Sequence, residues 1–132
     1  FSYLTMKEKF ELEFLFKTSP RVLENMISTP GGLAEWFADD VNHEGDLYSF
    51  EWDGNIEQAN LLFNKNNSKV RFKWVDDDDG DLETYFEISS TVDPMTASVS
   101  LQIIDFAYHE DKESAILLWT QQVGDLKRIL GA

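Results

Sequence analysis

Glu110-Asp111-Lys112-Glu113-Ser114-Ala115-Ile116-Leu117-Leu118-Trp119-Thr120-Gln121-Gln122-Val123-Gly124-Asp125-Leu126-Lys127-Arg128-Ile129-Leu130-Gly131 decides the architecture of this chain. Ile116, Trp119, Val123, Leu126 and Leu130 recur at spacings of 3, 4, 3 and 4. That period aligns them along one side of a helix of 3.6 residues per turn. Acidic residues open the segment and Lys127-Arg128 end it, which complements the helix dipole. Gly131 suits the terminating position. A long helix with one apolar stripe needs a second apolar surface to cover it.

The rest of the chain supplies that surface in period two. Phe10, Leu12, Phe14 and Phe16 alternate mostly with charges. Tyr48, Phe50 and Trp52 are interleaved with Ser49, Glu51 and Asp53, and Val70, Phe72 and Trp74 with Arg71, Lys73 and Val75. Leu82, Thr84, Phe86 and Ile88 form another row, as do Ala97, Val99, Leu101 and Ile103. Such alternation marks half-buried strands. Asp53-Gly54 predicts a two-residue hairpin into a strand across Ile56 to Phe63. Asn64 to Ser68 and Asp93-Pro94 turn the chain twice more. Between the first strand and Tyr48, Ser19-Pro20 opens a helix carrying Val22, Leu23, Met26 and Ile27. Thr29-Pro30-Gly31-Gly32 reads as an interruption, followed by a second short helix over Leu33 to Ala38. Residues 39–46 are polar and read as a connection that can include a short strand.

The expected fold is therefore α+β. An antiparallel sheet of roughly six or seven strands curves around the C-terminal helix, with two short helices after the first strand. At 132 residues the whole of 1–132 reads as one domain. Residues 1–5 read as an extension ahead of Met6. With no basic segment followed by an apolar one, the start is not a signal peptide as it stands. No apolar run approaches the ~20 residues that span a bilayer. The expected location is cytoplasmic.

Composition narrows the function classes. Lys and Arg number 11 against 25 Asp and Glu, a formal net charge of −14. A phosphate backbone needs clustered basic groups, so nucleic acid and anionic membrane are poor partners. Cysteine is absent, which removes disulfides, thiolate metal sites and a Cys nucleophile. Aromatic residues make up 14% of the chain, ample for a core and for a pocket wall.

Local motifs for chemistry are few. The run Asp76-Asp77-Asp78-Asp79-Gly80-Asp81 fails the EF-hand register: with Gly80 at loop position 6, Val75 and Phe86 fall where carboxylates are required. It reads as a solvated turn. Asp39, Asp40, His43, Glu44 and Asp46 offer a single imidazole on a polar segment, too few fixed ligands for a metal site. His109 beside Glu110 and Asp111 reads as an exposed helix start. With no Gly-rich phosphate loop, zinc-protease motif or nucleophile elbow, no catalytic residue, metal or cofactor is assigned.

Leu33-Ala34-Glu35-Trp36-Phe37-Ala38-Asp39, Gly45-Asp46, Phe50-Glu51-Trp52-Asp53-Gly54, Val70-Arg71-Phe72-Lys73-Trp74 and Leu118-Trp119-Thr120-Gln121-Gln122-Val123 together resemble the START-like helix-grip superfamily. The resemblance spans nearly all of 7–131 and lies nearest the activator-of-heat-shock-chaperone-ATPase group. It implies a cavity beneath the C-terminal helix. Relatives bind lipids, steroids and other apolar molecules, shape polyketide cyclisation, or assist a chaperone. No residue set for those activities is common to the superfamily, and none is carried over.

The leading expectation is a noncatalytic module that binds a small apolar ligand. Trp36, Phe37, Phe50, Trp52, Phe72, Trp74, Phe86, Leu101, Ile103, Ile116, Trp119 and Val123 are its candidate cavity lining. Core packing alone would use the same residue types. Trp52 and Trp74, opposite Trp119, are candidate hydrogen-bond donors to a ligand. The alternative is a protein-interaction or cochaperone-like module with an acidic surface that steers a basic partner. An enzyme would need titratable groups on the inward parities, which read as almost entirely apolar.

Overall fold

Ser19 and Thr29 set the start of the fold's two short helices. The computed structural model describes residues 7–77 and 83–132. Strand β1 (Lys7–Phe16) leads to helix α1 (Pro20–Ser28), where the Ser19 hydroxyl accepts the Val22 N–H and Pro20 occupies the first turn. Helix α2 (Pro30–Trp36) begins three residues before the expected position. The sequence Thr29-Pro30-Gly31-Gly32 is a helix start, not an interruption. Thr29 Oγ1 accepts the Gly32 N–H at 2.9 Å and donates to the Asn25 carbonyl at 2.8 Å, stitching α2 to α1. A Cβ on Gly32 would stand 2.2 Å from the Asn25 oxygen, so only glycine allows this approach.

Strands β2 (Asp40–Glu44), β3 (Leu47–Trp52), β4 (Asn55–Lys65), β5 (Lys69–Trp74), β6 (Phe86–Val92) and β7 (Val99–Tyr108) follow. One turn of 3-10 helix over His109–Asp111 then leads into α3 (Lys112–Leu130). The polar segment 39–46 contains the short strand its reading allowed, β2, turned back at Gly45, which has a positive φ. Asp53 (φ 50°) and Gly54 (φ 83°) make the expected hairpin turn. Two strand starts differ from expectation. Thr84 is buried but lies ahead of β6, and Leu82 is outside the described residues. Ala97 sits in the β6–β7 turn with φ 60° and is exposed, so its alternation with Val99 is coincidental.

The strands form one antiparallel sheet in the order β1-β7-β6-β5-β4-β3-β2. Register keeps the apolar rows on one face: Phe10 lies opposite Asp105, Leu12 opposite Ile103, Phe14 opposite Leu101 and Phe16 opposite Val99. Phe72 pairs with Phe86 and Val70 with Ile88. The curved sheet wraps around α3, whose Trp119, Val123 and Leu126 are buried against it while Ile116 and Leu130 are half-buried. Phe50, Phe72, Phe86, Ile88, Leu101 and Ile103 are essentially sealed from solvent. Each contributes on the order of 1.5–3 kcal/mol by burial. At the helix end, the Gly131 N–H donates to the Arg128 carbonyl and the Ala132 N–H to that of Lys127.

In β4 the inward residues are Ala59 and Leu61, and a register shift between Leu61 and Phe63 turns Phe63 outward. There Phe63 and Tyr85 flank the Arg71 guanidinium, 5.0 and 3.9 Å from their ring centres, while Arg71 pairs with the buried Glu87.

Candidate functional site

β3 and β5 end, β4 and β6 begin, and β7 nears its end all at one edge of the sheet, and the pocket lies there. It has a volume of about 410 Å³ and is lined by Phe37, Trp52, Glu57, Trp74, Phe86, Asp105, Leu118, Trp119 and Gln122. Because β6 starts at Phe86, opposite Phe72, the Trp74 end of β5 continues past it. Helix α3 crosses this end with Trp119 buried and Leu118 exposed at the mouth.

Phe37, immediately after α2, is the hub of the wall. Its ring stacks on Trp119 with centroids 5.4 Å apart and meets Trp52 edge-on at 5.3 Å and Phe86 at 5.4 Å. Trp74 reaches Phe86 at 5.0 Å and Trp52 at 6.1 Å. Such spacings add about 0.5–1.5 kcal/mol per pair beyond burial. The Phe37 carbonyl is held from two sides, by Trp52 Nε1 at 2.8 Å and Gln122 Nε2 at 2.9 Å. These bonds tie the end of α2 to β3 and α3.

The structure thus brings five candidates to the pocket: Phe37, Trp52, Trp74, Phe86 and Trp119. Phe50, Phe72, Leu101, Ile103 and Val123 lie in the sealed core behind it. Ile116 is half-buried on α3, and Trp36 is buried against α1 with its indole donating to the Met26 carbonyl at 2.9 Å. Of the proposed ligand donors, Trp52 and Trp119 are committed within the protein. Trp74 is the one indole that meets no protein acceptor among the described residues.

Polar lining is the correction to the inward rows. Asp105 continues the row Leu101-Ile103 on β7, and Glu57 shares the parity of Ala59 on β4. Both were legible as acids two residues beyond an apolar inward position. Asp105 Oδ2 accepts Trp119 Nε1 at 2.8 Å, and Oδ1 accepts the Phe106 N–H at 2.7 Å. Burial pushes its carboxyl up to about 6; the Trp119 and Phe106 bonds and the Lys7 charge oppose this, and Asp77 adds to it.

Other candidate chemistry falls elsewhere. His109 is exposed, 3.2 Å from Glu8. His43 Nδ1 lies 3.2 Å from the Gly45 carbonyl and its ring stacks on Tyr48. Asp39 accepts the Asp53 N–H. No group of three or more acidic or histidine side chains is placed to hold a metal among the described residues. Residues 78–81 of the acidic run lie outside those residues. The Asp77 side chain is largely covered and paired with Lys7 at 2.7 Å. No helix among the described residues is long and apolar enough to cross a membrane.

A family profile described as START-like superfamily domain matches residues 4–132. The solution structure of BfR322 from Bacteroides fragilis is 34% identical, with a TM-score of 0.64, over 94% of this chain and 91% of that one. The Aha1 dimer from Colwellia psychrerythraea is 15% identical, with a TM-score of 0.74 and coverage of 93% and 96%. Protein MLL2253 from Mesorhizobium loti is 17% identical, with a TM-score of 0.73 and coverage of 94% and 97%. The last two likenesses are likenesses of fold. No curated protein matches the chain.

Proposed function

This chain belongs to the START-like superfamily, and from that membership we propose that it binds a small, largely apolar molecule in the pocket between the sheet and α3. The observation that carries the reading is the aromatic wall of Phe37, Trp52, Trp74, Phe86 and Trp119 around about 410 Å³. That volume is in the range of small-molecule sites, which combine apolar walls with a few polar groups. Binding draws on about 25 cal/mol for each Å² of apolar surface removed from water. The uncommitted Trp74 N–H, Asp105 and Gln122 orient the ligand.

Native mass spectrometry of freshly purified protein, with titration of the neutral fluorophore N-phenyl-1-naphthylamine, tests this. A retained small molecule, or saturable probe binding that Trp74→Ala weakens, supports the pocket. A bare mass together with no saturable binding overturns it.

A protein partner is the second reading, favoured by the net charge of −14. The fold likeness to the Aha1 dimer is compatible with a cochaperone-like role. An acidic surface speeds association with a basic partner in a salt-dependent way. Capture from lysate at low and high salt checks it; absence of any salt-sensitive partner counts against it.

A further inference from the structure

Asp105 is the feature that apolar binding alone leaves unexplained. It is a half-buried carboxylate in an aromatic wall, and no basic side chain among the described residues forms an ion pair with it. Lys7, whose charge acts on it, is paired with Asp77 at 2.7 Å. Each Asp105 oxygen accepts one hydrogen bond, from Trp119 and from the Phe106 backbone, which leaves acceptor positions on both. Glu57 brings a second carboxylate to the rim, and among the described residues no Lys, Arg or His lines the pocket. Burying a charge without a partner is costly. The electron-rich faces of indoles attract cations, by about 0.5–1 kcal/mol where exposed and about 2 where desolvated.

We propose that the ligand is an organic cation with an apolar body, its amine or quaternary ammonium held by Asp105 and the surrounding indoles. The inference rests on the pocket reading and adds the charge of the ligand to it. Among the described residues, the charges around Asp105 are Lys7 on β1, Asp77 after β5 and Glu57 on β4; α3 contributes Leu118, Trp119 and Gln122, none titratable in this range. Asp105, with its carboxyl raised to about 6, must be ionised to hold a cation. Affinity for the cation is therefore full above that value and declines as pH falls through it.

The test compares phenethyltrimethylammonium with its neutral carbon isostere and with phenethylsulfonate, by tryptophan fluorescence and NMR shifts. The cation is expected to bind about tenfold more tightly than the neutral isostere at pH 8. That advantage is expected to shrink severalfold by pH 5 in the unaltered protein. Asp105→Asn removes the advantage, so that the cation and the neutral isostere bind the variant alike. Glu44→Gln, the same charge change at the far end of the β2–β3 hairpin, leaves the advantage intact. Equal binding of cation and neutral isostere, or stronger binding of the sulfonate, overturns the cation inference while the pocket stands. Binding of none of the three overturns both.

Discussion

Trp119 on α3 donates its indole N–H to Asp105 on β7 at 2.8 Å, so one hydrogen bond joins the terminal helix to the sheet inside the pocket wall. The bond stabilises the ionised carboxylate and opposes the upward push of burial. Trp119→Phe keeps an aromatic ring and removes the donor. The Asp105 carboxyl is then expected to titrate above 6, followed by its side-chain ¹³C shift across pH. An unchanged midpoint would mean that the bond does not govern the charge.

The same carboxyl makes stability depend on pH in a direction opposite to most carboxylates. Its folded value of about 6 lies above the ordinary 3.8, so between these values the folded state holds a proton that the unfolded chain has released. Asp105 therefore contributes no penalty below about pH 4, and its ionisation costs stability as pH rises through 6. The cost is on the order of 2 kcal/mol, discounted for partial solvent contact. Asp105→Asn cannot accept both the Trp119 and Phe106 bonds, which lowers its stability by an amount that does not vary with pH. The slope is the readout: from pH 4 to 8 the unaltered protein is expected to lose about 2 kcal/mol relative to the variant in urea unfolding. Parallel curves would contradict the assignment. A residue that destabilises the fold at neutral pH fits a role in binding.

The fold was legible because period decides it. The rows at Tyr48-Phe50-Trp52 and Val70-Phe72-Trp74, and the stripe from Ile116 to Leu130, face inward as their spacing dictates. Glycine and short-range geometry were harder to read. Gly31-Gly32 resembles a breaker until the contact with α1 is seen, and Ala97 matches the strand parity while occupying a left-handed turn. Within the site, periodicity identified Trp52, Trp74 and Phe86 on strands and Trp119 on the helix as inward. It had no means of separating pocket from sealed core, because Phe50 and Phe72 share the inward parity and lie farther along their strands from the end where the pocket opens. Asp105 and Glu57 were passed over because the apolar neighbours dominated their rows.

The two glycines of α2 give opposite expectations from identical chemistry. A methyl group on Gly32 meets Asn25 and Met26 backbone atoms at 2.2 and 2.6 Å, and backbone cannot rotate away. Gly32→Ala is expected to cost several kcal/mol, roughly 3 or more, as α1 and α2 are forced apart. Gly31 has nothing within 4 Å of that position, so Gly31→Ala gains helix propensity, up to about 1 kcal/mol. Thermal melts of both variants check the pair; similar melting temperatures would refute the close packing of the helices.

On the outer face, Arg71 and Glu87 form the cross-strand pair with most at stake. The Glu87 side chain is only 5% exposed, and Arg71 Nε and Nη2 both bond its Oε1, at 2.9 and 2.7 Å. Arg71 also lies 3.9 Å from the centre of the Tyr85 ring. Arg71→Ala strands a buried carboxylate and is expected to cost about 2 kcal/mol, less than a fully buried pair because Arg71 is 32% exposed. Glu87→Gln in the Arg71→Ala background removes the stranded charge and is expected to restore about half of the loss. Arg71→Lys keeps the charge, yet a lysine ammonium lacks the planar fork that both bonds Glu87 and lies over Tyr85. It should therefore fall between the two in chemical denaturation. Additive effects of Arg71→Ala and Glu87→Gln in a double-mutant cycle would show the pair to be uncoupled.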